Sequence, residues 1–430
     1  MGLRAAKEEN GWPGDITKRL GGAVMDISRT RARENRSLRR QLAGMVVGTV
    51  AALALGVGGG VAPAQAVPTH PSAAIVATSS TGLVYSVSQT SGLLRLLRPN
   101  GTSSVLAGAG PAGLFEGCVD DVWASSLGPM TSSLGGVQEL TVDRSGNLLA
   151  TVGFMADSTE RQALYVFARA TGTFYGRNMT LGKVYRIMGL DCYTGHTGGI
   201  DVAFGDQLSL DVDAQGWVVA AGRRASDREL VVIPTTDGDF YGTPMTALTI
   251  NTLLTNTWNG EGVVGGDVRV DPAGNIVYTG LRKVGGVRLR TIEVYPLTSG
   301  TLYGQTVTAH QRTIIAGGGT QRVDGARAVE TLLDDVGQLE IDKDGNLLLG
   351  GTLGQVMAKR TGTFYGIPMT RNRIYSVPAL AAGELALGRE RSIITTALTA
   401  DPTLYAVSPT ATTLYGVSIP GLTLTPIGTS

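Results

Sequence analysis

After residue 73 the chain is a series of short segments in which apolar and polar residues alternate, the period of half-buried β-strands. One pair of segments recurs around an aspartate and a glycine, and its clearest copy reads Leu140-Thr-Val-Asp143-Arg-Ser-Gly146-Asn147-Leu-Leu. The aspartate can accept hydrogen bonds from backbone amides of the turn, and glycine supplies the positive φ that reverses the chain. Each copy therefore predicts a β-hairpin. The structural turn residues are expected at Asp143, Gly146, Asp213, Gly216, Asp271, Gly274, Asp342, Gly345 and Asp401.

A second phrase, Gly-Thr-Phe-Tyr-Gly or a close variant, follows the hairpins and is itself followed by another short apolar strand. The two phrases together give four strands in each period of about 65 residues. Four antiparallel strands in each of six copies predict a six-bladed β-propeller, with five or seven blades as alternatives. The blades are expected near 73–108, 137–188, 208–252, 268–315, 339–377 and 396–427, in one domain at 67–430. Each unit contains its own four strands, so the ring is expected to close by packing of the first blade on the last.

The first 66 residues have a different composition. A basic region that ends at Arg39-Arg40 precedes an uncharged stretch, Gln41–Ala66, which closes on Pro63-Ala64-Gln65-Ala66. This order predicts a secretory signal peptide that is cleaved after Ala66, and an uncleaved membrane anchor is the alternative. The protein is therefore expected to be secreted or associated with the cell envelope. Both the general and the twin-arginine export routes stay open, as do Met1 and Met25 as start residues.

The composition argues against long surface helices and against a nucleic-acid-binding protein. The chain has 61 glycines and only 17% charged residues, against roughly 25% in average globular proteins, which argues against long surface helices. Beyond Ala66 there are 26 basic and 30 acidic residues, although the whole chain carries a formal charge of +1. No basic surface for a nucleic acid is therefore expected.

The cysteine count favours a structural role. Cys118 and Cys192 precede Asp143 and Asp213 by similar distances, so they fall in corresponding returns of adjacent blades. An even pair in an exported chain predicts a Cys118–Cys192 disulfide, and two separate buried thiols are the alternative. A zinc site needs more ligands than two cysteines and three histidines readily supply. These histidines are His70, His196 and His310.

Other candidate chemistry has a simpler structural explanation. The repeated aspartates are better explained as turn residues than as metal ligands, because their equivalents lie in separate blades. Calcium is the one cofactor considered, at Asp342-Lys-Asp344-Gly345-Asn346, but the glutamate that closes an EF-hand loop is missing. Two roles are open for the four repeated tyrosines: an exposed ring of aromatic platforms that bind sugars, or packing inside the blades. These residues are Tyr175, Tyr241, Tyr303 and Tyr365. His196 is a candidate general base or ligand in a central pocket, and the alternative is that it is simply an exposed loop residue.

The phrase Val-Asp-x-x-Gly-Asn, together with returns such as Leu106-Ala-Gly-Ala-Gly110 and Ile315-Ala-Gly-Gly-Gly319, resembles the core of NHL-type repeats. The Gly-Thr-Phe-Tyr-Gly-x-x-Met-Thr insert is similar to the version in exported bacterial proteins of that family. The resemblance covers about residues 73–427 and implies a β-propeller. It leaves the activity open, because NHL-like propellers include protein-binding, RNA-binding, sensor and lyase members.

Three functions remain. The first is a non-enzymatic exported scaffold, expected to be a monomer without a cofactor, that binds an unknown protein or cell-surface ligand. The second is a metal-assisted lyase or lactonase that uses the mouth of the propeller, and the third is a structural envelope component. For the second, the pool of carboxylates in the returns is Glu116, Asp120, Asp121, Asp201, Asp206, Asp334 and Asp335.

Overall fold

The chain was examined as a computed structural model. The structure describes residues 74–110, 119–132, 135–156, 159–189, 208–224, 227–257, 263–333, 336, 338–350, 354–377, 380, 385–387, 393–396, 403–408, 410–421 and 425–429. Regular structure in these ranges consists of β-strands and two single-turn 3₁₀ helices, η1 (Ala124–Ser126) and η2 (Ala328–Glu330). No helix in these ranges has the length and apolar character needed to span a membrane.

The strands form six larger antiparallel sheets that follow one another along the chain. Sheet 1 contains β1 (Ala74–Thr78), β2 (Val84–Ser88), β3 (Leu94–Leu97) and β4 (Ser103–Ala107). Sheet 2 contains β5 (Val122–Trp123), β6 (Thr131–Ser132), β7 (Gly135–Val142), β8 (Leu148–Ala156), β9 (Thr159–Phe167) and β12 (Lys183–Met188). Sheet 3 contains β13 (Ser209–Val212), β14 (Val218–Arg224), β15 (Asp227–Ile233) and β18 (Asn251–Thr257). Sheet 4 contains β19 (Val263–Val270), β20 (Ile276–Val284), β21 (Val287–Tyr295) and β24 (Thr313–Gly317). Sheet 5 contains β25 (Ala326–Arg327), β26 (Gln338–Ile341), β27 (Leu347–Gly350), β28 (Gln355–Met357) and β31 (Arg373–Ser376). Sheet 6 contains β32 (Leu385–Leu387), β33 (Ile393–Thr396), β34 (Thr403–Val407) and β37 (Thr425–Thr429).

Five sheets carry a separate two-stranded hairpin, formed by the Gly-Thr-Phe-Tyr-Gly phrase or a variant of it between the third strand of the blade and the strand that follows it in the chain. The hairpins pair β10 (Gly172–Phe174) with β11 (Arg177–Met179), β16 (Gly238–Phe240) with β17 (Thr243–Met245), β22 (Gly300–Leu302) with β23 (Gln305–Val307), β29 (Gly362–Phe364) with β30 (Ile367–Met369), and β35 (Thr412–Leu414) with β36 (Val417–Ile419). In sheet 1 a short turn joins β3 directly to β4. The β-propeller is confirmed, but the prediction of six full blades is wrong. Five blades have the full pattern, and sheet 1 has a simpler one.

The sheets are arranged as a β-propeller. Their innermost long strands contact one another in the order β1, β7, β13, β19, β26, β32 and back to β1, so they surround a common axis. A cluster of buried apolar side chains fills the space between each pair of neighbouring sheets. Alternation along a strand sends successive side chains to opposite neighbours: Leu347 and Leu349 pack toward sheet 4, whereas Leu348 packs toward sheet 6. Neither face of a sheet would be buried without its neighbours.

The first and last sheets close the ring by packing. Val76, Val84 and Leu97 of sheet 1 lie in one buried cluster with Ile394 and Leu404 of sheet 6. Each of these two sheets is built from a continuous stretch of chain, with no strand exchanged between them.

The last unit begins earlier than its sequence suggests. Its innermost strand starts at Leu385, whereas the sequence places the unit at 396–427. Asp401 lies outside the described residues, and in the sequence it follows the second strand of the sheet, β33, rather than the first. The repeat phrase is so degenerate here that Ala397-Leu-Thr-Ala-Asp401 follows the second strand of the sheet, one strand later than the phrase does in the other units.

Candidate functional site

The axis of the propeller is lined by charged side chains from the middle of four consecutive inner strands. Along these strands the side chains alternate with buried apolar residues such as Leu140, Leu210, Val268 and Leu339. The period of two in a strand thus places the charged residues on the opposite side from the apolar ones. Four carboxylates and one guanidinium meet here, and we call this group the axial cluster: Glu139, Asp211, Asp267, Arg269 and Glu340.

Arg269 of β19 is at the centre of the axial cluster, and its side chain is only 11% exposed. Its Nη1 donates to Asp267 Oδ1 at 2.7 Å and to Glu139 Oε1 at 3.0 Å. Its Nε donates to Glu340 Oε1, also at 3.0 Å. One guanidinium therefore joins carboxylates from three inner strands, β7, β19 and β26.

One oxygen each of Glu139, Asp267 and Asp211 accepts a hydrogen bond from a backbone amide of a neighbouring sheet. Glu139 Oε2 accepts from Leu210 N at 2.9 Å, and Asp267 Oδ2 accepts from Leu339 N. Asp211 Oδ2 accepts from Val270 N at 2.8 Å. These bonds tie each inner strand to the next, as expected of buried charges that need both a counter-ion and hydrogen-bond donors.

A cavity of about 230 Å³ adjoins the cluster on the axis. Its polar lining comes from Asp211, Arg269 and Glu340 and from the threonines Thr78 and Thr141. The rest of the lining is aliphatic, from β1, β7, β19, β26 and sheet 6. The cavity has room for a small polar molecule.

Burial changes the acid–base properties of the cluster. Burial raises the pKa of Glu340 to about 7, although Arg269 acts in the opposite direction. Burial also raises the pKa of Asp211 and of Glu139, again against the effect of Arg269. For Arg269, burial disfavours the charge, but Asp267 and Glu340 outweigh it and raise the pKa further. The guanidinium stays charged, and some of the carboxyl groups can be protonated near neutral pH.

The predicted turn aspartates lie at the ends of the inner strands, away from the cluster. Asp143 Oδ1 accepts from Asn147 N at 2.8 Å, and Gly146 has a φ of 81°. The corresponding bond at Asp213, from Trp217 N, is also 2.8 Å. The same arrangement occurs at Asp271 with Gly274 and at Asp342 with Gly345.

The asparagine that follows the turn glycine has a role that the sequence analysis did not assign. Asn147 is buried, its amide donates to Asp143 Oδ2 at 3.0 Å, and its Oδ1 accepts from Arg169 N at 2.9 Å. It thereby connects the first hairpin to the end of the third strand. Asn275 and Asn346 make the same pair of contacts. The recurrence of Gly-Asn in three of the phrases was the available signal.

The four repeated tyrosines pack inside the molecule. Tyr241 and Tyr303 are buried and donate to Gly274 O and Gly345 O of the following sheet, at 3.1 and 3.2 Å. Tyr365 and Tyr175 donate instead to the turn aspartates of their own sheets. A ring of exposed sugar-binding platforms is therefore not formed by these residues.

The other candidates do not converge on the axis in the described part of the chain. Asp120 pairs with Arg177 at 2.8 Å and Asp121 with Lys183 at 3.0 Å, both at the outer strand of sheet 2. His310 stacks on Tyr295 with ring centroids 6.5 Å apart. Cys118, Cys192, His70, His196, Glu116, Asp201, Asp206, Asp334 and Asp335 lie outside the described residues. Among the described residues, no three His, Cys, Asp or Glu side chains are arranged to hold one metal ion.

Comparison with known proteins gives structural neighbours only. No family model matches the chain, and no curated protein matches it in sequence. One similar solved structure is a candidate gluconolactonase, 9% identical, with a TM-score of 0.40 over 78% of this chain and 88% of the other. A streptogramin B lyase is 10% identical, with a TM-score of 0.32 over 80% and 86% of the two chains. A protein of unknown function from Bacteroides caccae is 11% identical, with a TM-score of 0.29 over 64% and 68%.

Proposed function

We propose that this protein is a non-enzymatic, exported binding scaffold. It is an NHL-like β-propeller whose loops bind a protein or a cell-surface ligand. The observation that carries the proposal is the position of Arg269. A fixed guanidinium already binds three of the four carboxylates that converge on the axis, and backbone amides donate to the second oxygens of Glu139 and Asp267. The cluster therefore acts as an internal ion network that holds four inner strands together.

The alternative of a metal-assisted lyase or lactonase has less support. It needs several carboxylate oxygens free to bind one cation. In the axial cluster, Glu139, Asp267 and Glu340 are directed to Arg269 instead. Of the carboxylates considered from the sequence, Asp120 and Asp121 form ion pairs at an outer strand.

The proposal is tested with the protein isolated from the culture medium or envelope of the cells that make it. We expect an amino terminus at Val67, saturable binding of the labelled protein to isolated cell envelopes, and competition by unlabelled protein. Calorimetry with CaCl₂ should show no stoichiometric binding, and lactone hydrolysis should stay at the rate without enzyme.

Two results would overturn the proposal. The first is one calcium ion bound per chain together with lactone turnover that chelation abolishes. The second is retention of the protein in the cytoplasm with an intact leader. Binding to envelopes that does not saturate would also count against a specific scaffold.

A further inference from the structure

Four of the five hairpins contact the next sheet around the ring with their tips. In sheets 3, 4 and 5, a residue one to three positions before β18, β24 or β31 is left-handed: Leu248, His310 and Asn372 have φ values of 56°, 59° and 59°. Each donates its N–H to the end of the third strand of its own sheet, at Pro234 O, Pro296 O and Ala358 O. In sheet 2, Gly182 has a φ of 85° and donates to Ala168 O at 2.8 Å. These four positions are structurally equivalent.

At three of the four positions the hairpin tip of the preceding sheet covers the left-handed residue. A Cβ added at Gly176 would collide with Leu248, one at Gly242 with His310, and one at Gly304 with Asn372. The tip of the last hairpin lies in the same way on sheet 1, where a Cβ added at Gly101 would come within 2.6 Å of Tyr415 O. The tips thus form a belt of contacts between neighbouring sheets.

The belt is interrupted at Gly182, because sheet 1 has no hairpin to place there. A Cβ built on Gly182 would have the ring of Trp123 as its neighbour, at 3.5 Å. Trp123 is 53% exposed and Leu181 is 50% exposed. Lys183 Nζ lies 5.4 Å from the centre of the Trp123 ring and 3.0 Å from Asp121 Oδ1. We call Trp123, Leu181, Gly182 and Lys183 the seam site.

Sheet 5 serves as an internal comparison, because its short added strand β25 pairs with β31 as β5 pairs with β12. Trp123 lies opposite Lys183 in sheet 2, and Arg327 lies opposite Arg373 in sheet 5. In sheet 5, however, the hairpin of sheet 4 covers Asn372. The chain therefore has an exposed arginine where the belt is complete and an exposed tryptophan where it is interrupted.

We propose that the seam site binds a β-turn of another protein, with an aromatic residue followed by glycine at its tip. The belt itself shows which chemistry fits: at the equivalent positions the tips are Tyr175-Gly176, Tyr241-Gly242 and Tyr303-Gly304. Glycine lets the backbone approach closely, and an aromatic residue can pack on the Trp123 ring, an anchor type common at binding hot spots. Lys183 and Asp121 supply a polar rim.

The same contacts favour a foreign partner over a second copy. The tips at Gly176, Gly242, Gly304 and Tyr415 already lie against their own neighbouring sheets. Tyr365, of the remaining tip, is buried in the cluster between sheets 5 and 6. A second copy would therefore have to break its own packing to offer one of these tips. The inference rests on the proposed scaffold role and names one kind of partner for it.

The test uses a cyclic peptide with the sequence of residues 170–180, whose turn is first verified by NMR, titrated into the full protein by calorimetry. We expect a dissociation constant below about 1 mM. Trp123→Arg, which copies the residue at this position in sheet 5, should raise that constant at least about tenfold. Val323→Ala, at a residue that is 69% exposed and outside the seam site, is the matched control and should bind like the wild type. A peptide with alanines in place of the Tyr-Gly pair should lose binding.

Equal affinity of the wild type and Trp123→Arg, or no binding up to about 1 mM, would overturn the proposal. Self-association in sedimentation that Trp123→Arg abolishes would assign the site to a second copy and so overturn the choice of partner. Neither result bears on calcium binding or lactone turnover, so a failure of the seam site is distinguishable from a failure of the scaffold role.

Discussion

Arg269 and Glu340 are joined by two contacts, from Nε and Nη2 of the guanidinium to the same carboxylate oxygen, and both distances are 3.0 Å. The two residues belong to neighbouring sheets and lie 71 positions apart in the chain. Because Arg269 also contacts Glu139 of sheet 2, a single side chain connects three sheets at the axis. Its loss should therefore affect the whole ring.

Substitution of Arg269 by methionine keeps most of the side-chain length and removes the charge. Several buried carboxylates would then face one another without a counter-ion, so we expect a loss of about 3–5 kcal/mol in the free energy of unfolding at pH 8. The loss should be smaller at pH 5, where the carboxylates take up protons. Urea denaturation at the two pH values measures both effects. CaCl₂ should restore part of the stability of Arg269→Met at pH 8, since an added cation can replace the guanidinium.

Arg327→Met is the control for that substitution. Arg327 also forms an ion pair, with Glu330 at 3.1 Å, but its side chain is 63% exposed. An exposed pair contributes little, so the expected change is about 0.5 kcal/mol or less. Similar losses for Arg269→Met and Arg327→Met would mean that the axial cluster does not stabilise the ring.

The raised pKa of Glu340 predicts a pH dependence of stability. Its pKa is about 7 in the folded protein and about 4.3 in an unfolded chain, so between these values the folded state binds more protons. The contribution of this group is therefore fully present below about pH 4 and is lost as the pH rises through 7. Its full size is roughly 4 kcal/mol for a single isolated group. Glu139 and Asp211, whose pKa values are also raised, act in the same direction.

Glu340→Gln should reduce the difference in unfolding free energy between pH 5 and pH 8, because glutamine does not titrate. Glu330→Gln, at an exposed residue, should leave that difference as in the wild type. Thermal or urea denaturation across this range gives the slope directly. A wild-type slope retained in Glu340→Gln would show that Glu340 is ionised over the whole range.

The repeated phrases were enough to predict the β-propeller fold, because alternating apolar residues and turn residues determine structure locally and recur along the chain. The same local reasoning failed at the two ends of the ring. Sheet 1 has no hairpin, because Arg98–Thr102 is only long enough for a short turn. The phrase of sheet 6 is so altered that its first strand, Leu385–Leu387, carries no Asp-Gly signal.

The axial cluster was missed for a different reason. Its members occupy two sets of corresponding inner-strand positions, but each set holds different residue types. Asp211, Arg269 and Glu340 lie two residues before the turn aspartate, where sheet 2 has Thr141. Glu139 and Asp267 lie four residues before it. A search for repeated residues passes over positions that vary between repeats. Charged residues at the centre of predicted inner strands, as in Val-Arg-Val-Asp271 and Leu-Glu-Ile-Asp342, were the available signal. That they meet depends on ring closure, which brings together residues far apart in the chain.

The belt of hairpin tips can be tested with two glycines of nearly equal φ, Gly146 at 81° and Gly304 at 78°. Alanine is strained at both, at a cost of about 1–2 kcal/mol. A Cβ at Gly146 would meet nothing within 4 Å, whereas one at Gly304 would collide with Asn372 of the next sheet. Gly304→Ala should therefore lower the free energy of unfolding by at least about 1 kcal/mol more than Gly146→Ala in urea denaturation. Asn372→Gly, which copies Gly182 of sheet 2, should remove most of that excess when it is combined with Gly304→Ala. Equal losses for the two alanine variants, or no recovery in the double variant, would mean that the tip of this hairpin does not press on its neighbour.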